Sequence, residues 1–386
     1  MENTSFESIG LTENILRGIY ANGFETPSRI QAEAIPLIID GCDLLAQSQS
    51  GTGKTGAFII GVLQRMTVRA VNTRDNDDKK TRTVGVQAII LAPTKELATQ
   101  IHSVCSTLGS YTDILFELAV GGGKFFKPSQ KPTLLIGTPG RILDLLERKF
   151  FSREIISLLV LDEADEMLSN NFEEQVTKII RTIPSQAQIC MFSATLTREV
   201  ISLSTSFMRD PKIIKLAQEE ITLDGISQYY LHCDKEAYKF DALCEIYDKL
   251  TFGQTFIYVN SRTWGEKLKQ MLEREKFVVS FMHSGLSTIE RSNLMYDFSQ
   301  GRARIMLSTD LLARGIDVQQ VSVVINYDLP QSKETYIHRI GRSGRYGRKG
   351  VAINLVSDRD VWAIEELETF YSTRISKIVS LEDFKL

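Results

Sequence analysis

The octapeptide Ser48-Gln49-Ser50-Gly51-Thr52-Gly53-Lys54-Thr55 restricts the fold of this chain more than any other stretch. It follows a short apolar run and opens a helix-length segment. Glycines there let backbone N–H groups curl around an anion, and the helix N-terminus adds favourable partial charge. Such a loop works where a strand ends and a helix begins, the unit of a parallel sheet with crossover helices. The segment has the form of a P-loop with Ser48 in place of the usual glycine or alanine. Ser50, Gly51, Thr52 and Gly53 are expected to line the phosphates of ATP. Lys54 is expected to reach the β- and γ-phosphates, and the Thr55 hydroxyl to bind Mg²⁺.

The rest of the chain repeats that rhythm. Apolar strands are expected at 43–47, 87–92, 115–120, 133–137, 158–161 and 188–192, most of them followed by amphipathic helices. The alternation lapses near 216–225 and restarts at 255–259, 278–282, 305–308, 323–327 and 351–356. With 386 residues, there is material for two α/β domains with full cores. The expected division is 1–215, a short linker at 216–226, and 227–386. The polar, mixed-charge stretch 73–83 reads as a solvated loop. Ligands of such sheets gather at the carboxyl ends of the strands.

At one such end, Leu158-Leu159-Val160-Leu161 runs into Asp162-Glu163-Ala164-Asp165. A buried strand ending in carboxylates is the Walker B arrangement, with Asp162 holding Mg²⁺ through water. Glu163 is suited to orient and deprotonate the attacking water. Acidic residues after a strand also serve as helix caps. Beside a P-loop, the catalytic reading prevails.

Composition excludes several classes. The formal net charge of -3 rules out an overall basic nucleic-acid binder, so any such surface is a local patch. The five cysteines form no CxxC pair, which points to a reducing compartment. The start Met1-Glu2-Asn3-Thr4-Ser5 lacks a basic-then-apolar pattern, and no apolar run approaches a membrane span. The 19 Phe and 12 Tyr read as core rather than as a base-stacking platform. An intracellular soluble protein without a membrane partner is expected.

On these residues the chain resembles the DEAD-box ATP-dependent RNA helicases over nearly its whole length. Asp162-Glu163-Ala164-Asp165 is the family's namesake, and Phe6 with the segment from Gly23 to Gln31 looks like its adenine-recognition motif. A glutamine amide offers a donor and an acceptor, which suits the N6 and N7 edge of adenine. The resemblance gives that role to Gln31, with Phe24 stacking on the base. Pro93-Thr94-Lys95, Gly121-Gly122 and Thr138-Pro139-Gly140-Arg141 resemble RNA-contacting motifs, as do Arg291 and Thr309. Gly315 and Asp317 fall in the motif that touches the ATP ribose. Asp165, Ser193, Thr195 and His338 match positions that couple hydrolysis to strand separation. Arg342 and Arg345 match the arginine fingers aimed at the γ-phosphate. Lys95 stands where the family usually has arginine, and Thr288 where it generally has glutamine.

The resemblance implies two tandem RecA-like domains, Mg²⁺ with ATP as substrate, and single-stranded RNA or short RNA duplexes as partner. Loops of Gly, Thr and Ser bring donors to phosphates without reading bases, and 2′-hydroxyl contacts favour RNA over DNA. Within the family, Leu16 to Ala21 and Leu311 to Gln320 look most like the translation-initiation members. That implies a monomeric core, a translation-initiation scaffold protein as partner, and a cytoplasmic location, with the nucleus as the alternative. The competing readings are an ATP-gated RNA clamp of the exon-junction type, a helicase of ribosome biogenesis, and a P-loop ATPase acting on DNA or protein.

Overall fold

The computed structural model describes residues 5–48, 52–75, 85–121, 132–169, 172–215, 226–250, 253–310, 321–343, 350–382 and 384. The chain divides into two units, Met1–Ala217 and Gln218–Leu386.

The first unit begins with α1 (Glu13–Ala21) and α2 (Arg29–Asp40), then β1 (Leu44–Gln47) and α3 (Lys54–Asp75). Next come β2 (Ala88–Leu91), α4 (Lys95–Leu108), β3 (Phe116–Ala119), β4 (Leu134–Gly137) and α5 (Pro139–Glu147). It closes with β5 (Leu158–Asp162), α6 (Ala164–Ser169), α7 (Glu173–Thr182), β6 (Gln188–Ser193), α8 (Arg198–Phe207) and β7 (Lys212–Lys215). The strands form one seven-stranded parallel sheet in the order β3-β4-β2-β5-β6-β1-β7. Helices cover both faces. Leu158 and Val160 of β5 enter one core while Leu159 and Leu161 enter the other. Each such side chain contributes about 1.5–3 kcal/mol by leaving water. That two-sided packing is why the strands read as apolar runs rather than alternations, and it fixes the strand end that carries Asp162.

The second unit contains β8 (Ile226–His232), α9 (Lys239–Lys249), β9 (Thr255–Tyr258), α10 (Arg262–Arg274), β10 (Val279–Met282) and α11 (Thr288–Ser299). It continues with β11 (Ile305–Ser308), β12 (Val323–Asn326), α12 (Lys333–Ile340), β13 (Gly350–Val356), α13 (Val361–Tyr371) and β14 (Ser376–Lys377). Its sheet is also parallel and seven-stranded, in the order β10-β11-β9-β12-β13-β8-β14.

Several expectations are corrected. β7, β8 and β14 lie outside the predicted strands. β7 hides only Ile214, and β8 is largely half-buried, so neither shows a continuous apolar run. β8 also starts at Ile226, which the sequence reading gave to the linker. The start of the expected loop 73–83 is helical, because α3 continues to Asp75. Residues 76–83 fall outside the described ones. The aromatic residues are not all core: Tyr20, Tyr111, Phe150, Tyr238, Tyr296 and Phe370 are exposed.

Candidate nucleotide site and nucleic-acid interface

Strand order brings the ends of β1, β6 and β5 side by side. Ser48 N donates to the Ser193 carbonyl at 3.0 Å, and Gln47 Nε2 to the Ala194 carbonyl at 3.3 Å. The glycine-rich loop is thereby tied to Ser193-Ala194-Thr195. Lys54 opens α3 with its ammonium buried and donating to the Ser48 carbonyl. Ser48 Oγ and Thr52 Oγ1 lie 2.5 Å apart. Gly53 has φ +100°, and a Cβ there would meet Gln31 Nε2 at 2.7 Å, so only glycine fits.

Gln31 is buried at the start of α2. Its amide oxygen accepts from Ser28 N at 2.9 Å, and its amide nitrogen donates to the Gly53 carbonyl at 3.2 Å. This side chain therefore joins the adenine-motif segment to the P-loop. The half-buried Phe24 packs against the first core, with its ring 3.6 Å from the Cβ direction of Gly56.

Asp162, Glu163 and Asp165 are all buried. Burial pushes the Asp162 carboxyl up to about 7; the neighbouring Glu163 charge adds to this, and Lys54 opposes it. Glu163 N donates to Asp162 Oδ1 at 3.1 Å. Glu163 has φ +53°, a left-handed conformation rare for a side-chain-bearing residue. Its Oε2 is buried without a hydrogen-bond partner among the described residues. Such strain costs on the order of 1–3 kcal/mol and collects at functional sites. Asp165 faces the other way. Its Oδ2 accepts from Thr195 N at 3.1 Å and Thr195 Oγ1 at 2.8 Å, while Ser193 Oγ accepts from Asp165 N at 3.2 Å. The second Asp is thus locked to Ser193 and Thr195, and the first is left for chemistry.

The raised Asp162 carboxyl has a stability consequence in buffer free of nucleotide and divalent metal. A folded-state value above the unfolded one makes ionisation unfavourable to folding. The associated stability is complete below about pH 4 and is lost as pH rises through about 7. Asp162→Asn should therefore melt above the parent chain at pH 8, by about 2–4 °C for each kcal/mol recovered. The difference should vanish near pH 4. Scanning calorimetry across that range checks it, and a pH-independent difference would remove the argument.

A second group of loops clusters at the ends of β2, β4 and β3, on the opposite side of β5. Thr138 N donates to the Ala119 carbonyl at 3.2 Å, and the Lys95 side chain lies 3.5 Å from the Cβ direction of Gly121. Pro93, Thr94, Lys95, Gly121, Thr138, Gly140 and Arg141 are brought together here. Thr94 Oγ1 accepts from Leu97 N and caps α4, and Arg141 bonds Asp144 at 2.6 Å.

In the second unit, Thr309 follows β11, and its N–H donates to the Met282 carbonyl at 3.3 Å. Arg291 donates to the carbonyls of Leu286 and Ser284 at 3.1 Å each. His338 and Arg342 are buried. Between them lies Arg339, to which no sequence expectation gives a role. It is fully buried and donates to Asp310 Oδ1 at 2.6 Å, Asn260 Oδ1 at 2.7 Å and the Asp328 carbonyl at 2.6 Å. One guanidinium thus fixes the loops after β9, β11 and β12. Its only signal in the sequence is adjacency to His338. Ser50, Gly51, Gly122, Gly315, Asp317 and Arg345 lie outside the described residues.

Residues 28–203 match the DEAD/DEAH box helicase family model, and residues 238–347 match the helicase conserved C-terminal domain. The ATP-dependent RNA helicase eIF4A of Candida albicans is 47% identical over 377 residues, covering 97% of this chain and 92% of that protein. The ATP-dependent RNA helicase FAL1 of Scheffersomyces stipitis is 45% identical over 380 residues, with the same coverage of 97% and 92%. Among solved structures, S. cerevisiae Dbp5 bound to RNA and ADP BeF3 is similar with a TM-score of 0.87 at 37% identity, covering 97% of this chain and 95% of that one.

Proposed function

The chain belongs to the DEAD-box family of ATP-dependent RNA helicases, and on that premise we propose that it hydrolyses ATP to remodel RNA during translation initiation. One observation carries the reading. Lys54, Asp162 and Glu163 are buried at the ends of β1 and β5, the two strands that flank β6, while Asp165 is tied to Ser193 and Thr195. The translation setting rests on the similarity to eIF4A.

Thr55 and Asp162 are the residues that would hold Mg²⁺. A hydroxyl and a buried carboxylate suit a hard cation, and the burial that raises the Asp162 carboxyl is a cost that a bound cation would offset. The ion, when bound, supplies neutralisation of phosphate charge. Lys54 binds the β- and γ-phosphates. Glu163 Oε2, which has no hydrogen-bond partner among the described residues, accepts a proton from the attacking water and orients it. Residues 1–215 form the ATP-binding domain, and the second domain begins with β8 at Ile226 and runs to 386, after a linker that ends at 225. Arg342 and Arg345 supply cations to the transferring phosphate. The loops after β2, β3 and β4, with Arg291 and Thr309, hold the RNA backbone. A monomeric core in the cytoplasm that works with a scaffold protein completes the proposal.

Phosphate release by the full chain is the direct test. Activity should be low with ATP alone, rise on addition of single-stranded RNA, and rise far less with DNA of the same sequence. RNA affinity should fall with salt at a slope near 0.7 per phosphate neutralised. Equal stimulation by DNA would count against the RNA assignment.

Base choice is a separate expectation. Gln31 links its own helix to the Gly53 carbonyl, which supports a role beside the nucleotide base. The parent should prefer ATP over GTP, CTP and UTP. Gln31→Ala should lose about 1–3 kcal/mol of that preference, read as nucleotide affinities by competition. A parent that binds GTP as well as ATP would sink the assignment.

A further inference from the structure

The open side of β10 differs from the other three sheet edges. Unpaired edges recruit further strands, and proteins blunt them with charge, proline or shortness. β7 carries Lys212 and Lys215, β3 carries Glu117, and β14 is two residues long with Lys377. β10 reads Val279-Ser280-Phe281-Met282, with no charge and no proline. Among the described residues, only β11 pairs with it. The Met282 carbonyl points to β11, where it accepts from Thr309 N. Alternate residues of a parallel strand face opposite neighbours. Val279 and Phe281 therefore turn their N–H and C=O groups to the open side.

A trough of about 430 Å³ runs along that side. Residues 279–281 line its floor. α10 packs on the sheet face of Val279 and Phe281, and α11 on the face of Met282, so the two helices form the walls. Glu266, Glu290 and Asp297 line the walls against a single ammonium, Lys269, which already lies 3.3 Å from Glu273. Asp297 is shared with Arg302 at 2.8 Å. Glu266 lies 3.8 Å from Arg262 and 3.6 Å from the lining His283, whose imidazole burial favours as neutral, and Glu290 Oε2 accepts from Ser287 N. The lining keeps an acidic surplus. Beside it, α11 exposes Ile289 at 74% and Tyr296 at 59%, seven positions apart on one stripe.

We propose that this trough takes an extended basic segment of a partner protein, which adds as a strand to the edge of β10. Backbone pairing with Val279 and Phe281 supplies affinity, and the carboxylates select lysine or arginine side chains. Ile289 and Tyr296 cover an apolar residue of the incoming segment. The acidic lining disfavours a nucleic-acid backbone. None of these residues belongs to the ATP site, so the inference stands apart from the helicase reading.

The test uses hydrogen exchange on the full chain, titrated with an acetylated heptapeptide of alternating lysine and valine. The amides of Val279 and Phe281 should exchange fast in the free protein and slow by about tenfold or more with the peptide bound. A glutamate–valine peptide should give no protection. Glu266→Lys with Asp297→Lys should weaken binding about tenfold. Asn293→Arg, at an exposed position on the trough, should weaken it too and keeps the test valid if the double variant unfolds. No binding, protection confined to other segments, equal protection by the acidic peptide, or protection by single-stranded RNA would each overturn the proposal. So would edge protection that grows with protein concentration alongside a sedimenting dimer, which would assign the edge to a second copy.

Discussion

Replacing Glu163 with glutamine should leave ATP binding intact and lower multiple-turnover phosphate release by about 10²–10⁴-fold, the range of a positioned general base. Glutamine has the same shape, so the left-handed backbone at φ +53° and the bond from residue 163 N to Asp162 Oδ1 are retained. What is lost is a basic oxygen. Glu163 Oε2 is buried and partnerless among the described residues, so no structural bond depends on its charge. Removing that charge also relieves Asp162, whose carboxyl is raised in part by Glu163. Nucleotide affinity should therefore hold or improve while turnover fails. RNA bound in the presence of ATP should dissociate slowly, because release follows hydrolysis. Phosphate release, nucleotide titration and RNA off-rates from one preparation separate these effects. Normal turnover in the variant would remove Glu163 from the role of base.

Lys54→Ala should cost at least about 10²–10³-fold in turnover, the scale of losing one group that stabilises transferring charge, and should also weaken ATP binding. The ammonium is buried and donates to the Ser48 carbonyl, so it is aimed into the loop. It is also the cation that restrains the Asp162 carboxyl. Without it that carboxyl rises further, and Mg²⁺ should be held less well at neutral pH. Lys54→Arg keeps the charge but replaces a compact ammonium with a planar fork. It should restore part of the binding and little of the rate. Lys54→Ala turning over within about tenfold of the parent would refute the assignment.

Much of the site was legible because its chemistry is local. A glycine-rich loop must fit its own backbone around phosphate, so Gly51, Gly53 and Lys54 declare themselves within eight positions. Asp162 and Glu163 stand out because carboxylates rarely end a run as apolar as Leu158 to Leu161. Gln31 was marked only by the family resemblance, and Arg339 not at all, for the converse reason. The partners of Gln31 include Gly53, and those of Arg339 include Asn260, Asp310 and Asp328, distant in sequence and visible only after folding. Strands with one weakly buried face, β7 above all, escaped because their exposed residues interrupt the apolar run.

Most of the strands, loops and helices, and the side chains that stand at those strand ends, are written locally. Hydrophobic period, glycine and charge act over a few residues and need no partner to be read. The order β3-β4-β2-β5-β6-β1-β7 emerges only on folding. That order puts Lys54, Asp162, Glu163 and Thr195 on one side of the sheet's end and Thr94, Gly121 and Thr138 on the other. A crossover helix can return a strand to either neighbour with the same local sequence. The choice is made by which faces pack into the two cores, an energy spread over many distant side chains and written in no single segment.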